Sequence, residues 1–370
     1  MRLLIEARDG AVGVEGGLIV PVEGRFDVVV RVPDGELRPG LINAHDHLHR
    51  NHYGRLGTPP YANAYDWGRD IHRRFGRLID EARAVPRRRA LEIGAWKNLF
   101  AGVTTVVHHD AWEPEFERAF PIRVARLRCA HSLEFERDAT AWQPGSGPFA
   151  VHVAEGTDAA AANEVRELDR RGLLTSLLLA VHVVGADADG IARLRAAGSA
   201  VVWCPTSNLF LLGATAPRDL LTAGMDVLLG SDSMLSGAGT LLDELRCARA
   251  IGLVSDERLT AAVGHVAARR LGLREPSLDL GAPADVMVVR RPLLTATVAD
   301  VALVVVGGLP RVVDPELTPS LGPLCAKGAE MTLHGVTRWV LEAAPGSLGF
   351  DAIWEAAEEG APAGHLALEA

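Results

Sequence analysis

Two imidazoles, two residues apart, end the apolar run Pro39-Gly40-Leu41-Ile42-Asn43-Ala44-His45-Asp46-His47. On a strand, side chains alternate between faces, so His45 and His47 point the same way at its C-terminal end. That is half of a metal site, imidazole being the commonest metal ligand, or equally two polar residues on one strand face. Three further apolar runs end in a reactive group. Phe149-Ala150-Val151-His152-Val153-Ala154-Glu155 carries His-x-x-Glu, Leu177 to His182 ends in a single His, and Met225 to Ser233 delivers Asp232. Taken singly, each has a structural reading. His152 and His182 read as strand-end histidines, Glu155 as a carboxylate favoured by a following helix dipole, and Asp232-Ser233 as a helix N-cap.

The elements that must position these groups follow a pattern. Each run leads into loop or helix-start residues (Gly156-Thr157-Asp158, Gly185-Ala186-Asp187, Ser236-Gly237-Ala238-Gly239) and then a helical stretch. Strands alternating with helices, with chemistry at the strands' C-terminal ends, predict a parallel α/β fold and above all a (β/α)8 TIM-like barrel. A chain of 370 residues holds one barrel of about 250 residues and a small second module.

In this order the motifs resemble the amidohydrolase superfamily, and within it the mononuclear aminohydrolases and chlorohydrolases acting on nitrogen heterocycles. The resemblance covers roughly residues 36–290. It includes Gly102-Val103-Thr104-Thr105-Val106-Val107, similar to that branch's second strand, and Val201-Val202-Trp203-Cys204-Pro205-Thr206-Ser207-Asn208-Leu209, similar to its Cys-Pro-x-Ser-Asn stretch on the strand after the catalytic His. Leu280 to Val289 resembles the return into its small β-domain. The resemblance implies one divalent metal between His45, His47, His152 and Asp232, Zn²⁺ first and Fe²⁺ as the alternative. Such an ion lowers the pKa of bound water from nearly 16 towards about 7. It further implies Asp232 as ligand and first proton acceptor, and Glu155, about one turn past His152, as the group that protonates a ring nitrogen and then helps the leaving group depart. His182 would hydrogen-bond the attacking water or the developing oxyanion. The two ends, 1–38 and 281–313, are expected to meet in a small β-sandwich beside the barrel at 39–280, and a homodimer is expected.

Lysine usage separates one-metal from two-metal designs. Dinuclear members of the superfamily generally bridge their ions with a carboxylated Lys on the fourth strand. Lys97 and Lys327 are the only lysines here; the first falls in a helix-like segment before the second strand, the second beyond the barrel. A Glu replaces that Lys in some relatives, which leaves Glu134 and Glu136 as stand-ins, and the mononuclear reading is preferred.

Substrate contacts are expected in the loop after the first strand (Leu48 to Trp67), from His49, Tyr53 and Trp67, because loops at this face line the pocket. His109 and His131 are further candidates; of the adjacent pair His108-His109, one faces the interior and the other a helix. Between Val107 and His152 there is little room. Ile122 to Arg128 makes one strand, and Asp138 to Gly147 is short for a barrel helix, since a βα unit needs roughly 30 residues. A contracted third-to-fourth unit is therefore expected. Residues 314–370 read as a partly helical C-terminal extension, with helix-compatible stretches at Val336 to Ala343 and Phe350 to Glu359.

A net charge of −9 and no basic stripe argue against nucleic-acid binding, and the arginine clusters Arg73-Arg74 and Arg87-Arg88-Arg89 read as a solvated helix face. No apolar run reaches the 18 or so residues of a membrane span, no signal-peptide layout opens the chain, and the four cysteines are scattered. A cytosolic enzyme with a small-molecule substrate is the expectation. The activity expected is hydrolytic deamination of an aminated heterocycle. The alternatives are a cyclic amide or chlorinated heterocycle hydrolysed at the same site, and a catalytically silent metal-binding scaffold.

Overall fold

Both faces of the site-bearing strands are buried, as parallel strands covered by helices require. Leu41–Asp46, Val103–His108, Phe149–Val153, Leu178–His182, Ala200–Trp203 and Val227–Leu229 are almost wholly inaccessible to solvent. The computed structural model describes residues 1–135 and 147–341. Two parallel sheets result. One runs in the order 41–46, 103–108, 123–125, and the other 227–229, 200–203, 178–182, 149–153, 128–130.

A single stretch serves both sheets. Arg123–Ala125 pairs with Val103–His108, while Arg128–Ala130 pairs with Phe149–Val153. The one strand expected over Ile122 to Arg128 is therefore two short ones, because a straight strand cannot satisfy both neighbours. Glu136 and nearly all of the short link at Asp138 to Gly147 lie outside the described residues. At the opposite edges, Asp46 and Asp232 form an isolated parallel bridge, and the Asp232 N–H donates to the His45 carbonyl at 3.1 Å.

Helices follow the strands closely. Asp158 caps Ala159–Arg170 by accepting from the Ala161 N–H, and Asp187 caps Ala188–Ala197 by accepting from Gly190. The helix Arg87–Phe100 is buried along most of its length and packs onto the turn after His47. No described helix is long and apolar enough to cross a membrane.

The chain's two ends supply antiparallel structure. Arg2–Ala7, Gly10–Glu15, Leu18–Val20 and Val28–Val32 form a four-stranded sheet in which only the pairing of the first and last strands is parallel. Glu36–Pro39, Val286–Val289, Val301–Val306, Leu309–Val313, Gly328–Leu333 and Val336–Leu341 form a six-stranded one. Their inward side chains, among them Leu3, Ile5, Val30, Val286, Val288 and Val305, share one apolar cluster. The helical reading from Val336 is corrected: Val336–Leu341 is a strand, paired with Gly328–Leu333 through a two-residue turn at His334-Gly335, where both φ angles are positive. Valine, threonine and tryptophan favour that pleated surface, and the turn suits a hairpin. Pro315–Lys327 is a run of 3₁₀ turns broken at Gly322, and Phe350 to Glu359 lies outside the described residues.

Candidate metal centre

Two glycines let the site-bearing elements approach. A Cβ on Gly94 would stand 2.3 Å from the Leu48 carbonyl oxygen, so the helix Arg87–Phe100 rests directly on the turn after His47. A Cβ on Gly230 would stand 2.5 Å from the His45 Cβ, so the strand carrying Asp232 lies against the one carrying His45. Strain marks the other strand ends. Ala154, His182 and Asp232 have φ of 52°, 71° and 53°, a left-handed conformation costing about 1–2 kcal/mol for an L-residue. Surroundings that over-determine the backbone keep such residues in place, typically at sites.

The four predicted ligands converge. His45 Nε2 and His47 Nε2 each lie 3.8 Å from Asp232 Oδ1, and the His152 ring centroid is 4.9 Å from that of His45. His45, His182 and Asp232 bring one ligand atom each to within 4.8 Å of one another, as do His45, His109 and His152. Both nitrogens of His45, and Nε2 of His152 and of His182, are buried without a hydrogen-bond partner. Buried polar atoms are almost always paired, so orphan imidazole nitrogens around a carboxylate oxygen fit a divalent cation. Burial lowers the pKa of His45, His47 and His152, leaving them neutral with lone pairs free. Burial would raise Asp232, but the His45, His47 and His182 imidazoles hold its carboxyl well below the usual range.

Around these proposed ligands stand residues to which the sequence assigned no role. Asp110 Oδ2 accepts from His47 Nδ1 at 2.7 Å, which fixes the tautomer that turns Nε2 to the centre. Ser207 and Ser236 hydroxyls donate to Asp232 Oδ2 at 2.7 and 2.8 Å, leaving Oδ1 facing the imidazoles. Asn208 Oδ1 lies 2.8 Å from His182 Nδ1. Ser207 and Asn208 were expected on the strand after His182; they sit instead in the first turn of the helix Pro205–Leu212, since Pro205 opens that helix. Lys97, expected in a helix-like segment before the second strand and not as a metal bridge, is fully buried with Nζ 3.0 Å from Asp46 Oδ2.

Glu155 is not in a helical turn; it stands in the loop ahead of the helix that begins at Ala159. Its Oε1 is 3.5 Å from His182 Nε2 and its Oε2 3.9 Å from His152 Nδ1. Burial pushes its carboxyl up to about 7, against the pull of His182. A cavity of about 730 Å³ opens over this group, walled by Tyr65, Trp67 and Phe135. His49, Tyr53, Trp67 and His131 line it as well. His109 does not. It stacks flat on His152 at 4.3 Å with Nε2 hydrogen-bonded to the Ala130 carbonyl, while its neighbour His108 turns the other way, towards His49 and Phe116. Arg87, read as part of a solvated face, also lines the cavity and pairs with Glu113.

Fold and centre together define a parallel α/β protein that gathers imidazoles and a carboxylate at its strands' C-terminal ends. No family model matches the chain. Over 120 residues, 32% of this chain and 29% of the relative, it is 38% identical to an aminodeoxyfutalosine deaminase of Deinococcus radiodurans. Over 131 residues, 33% of this chain and 30% of the relative, it is 34% identical to a 5-methylthioadenosine/S-adenosylhomocysteine deaminase of Haloarcula marismortui. The matched segment thus spans less than a third of either curated relative. A zinc-bound adenosine deaminase of Xanthomonas campestris superposes over 85% of this chain and 94% of its own, with a TM-score of 0.65 at 22% identity, a likeness of fold. Over about a third of its length the chain is thus similar to curated deaminases, and its fold is like that of the zinc-bound adenosine deaminase.

Proposed function

We propose that this chain is a metal-dependent hydrolytic deaminase of a small aminated nitrogen heterocycle. The observation that carries the reading is the pairing of Glu155, its carboxyl pushed up to about 7, with His182 at 3.5 Å, over the orphan imidazoles and Asp232 Oδ1. The deaminase names of the curated relatives support it. In this reading the parallel strands form a contracted barrel, with residues 123–130 standing in for two staves.

His45, His47, His152 and Asp232 would hold one divalent ion, zinc by preference, which when bound supplies an acidified water at neutral pH. The remaining chemistry belongs to the chain. Asp232 Oδ1 accepts the proton released as water adds to the amidine-like carbon. Glu155, poised near neutrality, gives a proton to the ring nitrogen and takes part in delivering one to the departing amine. His182, anchored through Nδ1 by Asn208, presents Nε2 to the attacking water. The aromatic wall of Tyr65, Trp67 and Phe135 suits a flat ring and keeps bulk water from it. Overall, water replaces the amino group, leaving a carbonyl and ammonia.

The test is ammonia release by the zinc-loaded chain from a panel of aminated purines, pterins, pyrimidines and triazines, beside its Glu155→Gln variant. Ammonia from wild type and not from the variant supports the reading. A ring-opened acid or free chloride without ammonia overturns it in favour of the other hydrolytic chemistries, and identical silence from both proteins favours a scaffold.

A further inference from the structure

His109 has no part in the chemistry above. It was expected to contact substrate, yet it does not line the cavity and is 1% exposed. Three contacts fix it. Its backbone N–H donates to the Asp46 carbonyl at 2.9 Å, which ties it to the segment bearing His45 and His47. Its ring stacks on that of His152, with centroids 4.3 Å and planes 11° apart, and meets the His45 ring at 4.6 Å. Its Nε2 lies 3.0 Å from the Ala130 carbonyl oxygen.

That last contact decides what the ring can offer. A carbonyl only accepts, so Nε2 carries the proton and the lone pair of the neutral imidazole is on Nδ1. Nδ1 is buried without a hydrogen-bond partner. Buried polar atoms rarely go unpaired, and a ring present for packing alone has no use for a lone pair there. His45, His109 and His152 bring one ligand atom each to within 4.8 Å of one another; with Nε2 taken, Nδ1 is the atom His109 can give. Metal-binding histidines commonly donate their other ring N–H to a backbone carbonyl or a carboxylate. His109 does so to Ala130, as His47 does to Asp110.

We propose that His109 is a further ligand of the ion, through Nδ1, beside His45, His47, His152 and Asp232. The inference rests on the metal centre of the reading above and adds to it a donor from the end of the strand Val103–His108. Neighbouring residues then serve the centre in different ways: His109 donates to the ion, and Asp110 orients His47.

The full chain is labelled with ¹⁵N at histidine, freed of metal and loaded with ¹¹³Cd²⁺, and the imidazole nitrogens coupled to cadmium are read by NMR. Correlations to the ring protons separate Nδ1 from Nε2. The expected result is a cadmium-coupled Nδ1 that disappears in His109→Phe, which keeps a flat ring for the stack. The same variant is expected to lose zinc affinity by roughly tenfold or more in competition with a chromophoric chelator, at least what the loss of an orienting partner costs. If the phenylalanine variant does not fold, Overhauser contacts between the coupled ring and Ala130 identify His109 in the wild type. Coupling confined to Nε2 nitrogens, or a coupled Nδ1 that persists in the variant, overturns the inference and leaves the centre standing. No coupling at any histidine overturns the metal centre and the inference with it.

Discussion

The ammonium of Lys97 lies 3.0 Å from Asp46 Oδ2, and both side chains are completely removed from solvent. Asp46 stands between the two proposed ligands His45 and His47, and its carboxylate also accepts from Asn98 and Asn51 at 2.7 and 2.8 Å. Lys97 donates in addition to Ser231 Oγ at 3.1 Å and to the Asp232 carbonyl at 3.4 Å. One buried cation therefore joins the backbone of His45 and His47 to that of Asp232.

Removing that cation alone leaves a buried carboxylate without its counter-charge, which typically costs about 3–5 kcal/mol. Lys97→Met is expected to lower the thermal midpoint and to weaken zinc binding in a competition assay with a chromophoric chelator. Adding Asp46→Asn to that variant should recover part of both losses. A Lys97→Met protein with wild-type zinc affinity and midpoint would show that the pair positions nothing.

Elemental analysis should find about one divalent ion per chain, and none in a His45→Ala, His152→Ala double variant. A ligand that binds only the folded state stabilises it by mass action, so chelation should lower the wild-type midpoint and leave that of the double variant where it was. Two ions per chain would point to a bridge and away from the one-metal reading.

Replacing Glu155 by Gln keeps the shape and removes the proton carrier, which is expected to cut kcat by roughly 10²–10⁴ with zinc content unchanged. A carboxyl raised to about 7 that acts first as an acid must be protonated. The wild-type kcat/KM should therefore fall as pH rises through about 7, and the residual activity of the Gln variant should lack that limb. An unaltered limb in the variant assigns it to another group.

Glu244 is a stability probe that does not line the cavity. Its carboxylate accepts from the Thr206 N–H at 3.0 Å and from the Thr206 hydroxyl, yet burial pushes it up to about 8 from an ordinary 4.5. A raised folded pKa means that the native state holds the proton more tightly, so the stabilisation is complete below about 4.5 and lost as pH rises through about 8. The slope contributed is at most about 1.4 kcal/mol per pH unit. Denaturant titrations from pH 5 to 8.5 should show stability falling over this window, and Glu244→Gln should flatten the fall.

What the amino-acid order revealed depended on range. His45, His47, His152, His182 and Asp232 drew notice because strand alternation and a strand's end are local facts, their joining in one site was what the resemblance implied, and the five side chains lie together in space. Asp46, between the two histidines of the motif, drew no reading of its own. That its partner is Lys97 was not visible, because it depends on the close approach that Gly94 permits. Ser207 and Asn208 lay inside a recognised stretch, but their partners follow from the turn of a helix that Pro205 opens. The strand Val336–Leu341 escaped notice because, without alternation, a short apolar segment reads as helix or strand alike. Asp110, next to the pair His108-His109, was not singled out; its tie to His47 is a tertiary contact.

The bridge between Asp46 and Asp232 has a consequence for the chain without its ion. Among the described residues it is the one backbone pairing between the outermost strands of the two parallel sheets, and it falls on the ligand-bearing segments themselves. The centre is thus also a rivet across a seam whose halves lie nearly two hundred residues apart in the chain. An ion held by His45, His47 and Asp232, as proposed, would add a second tie between the two segments that this bridge already pairs.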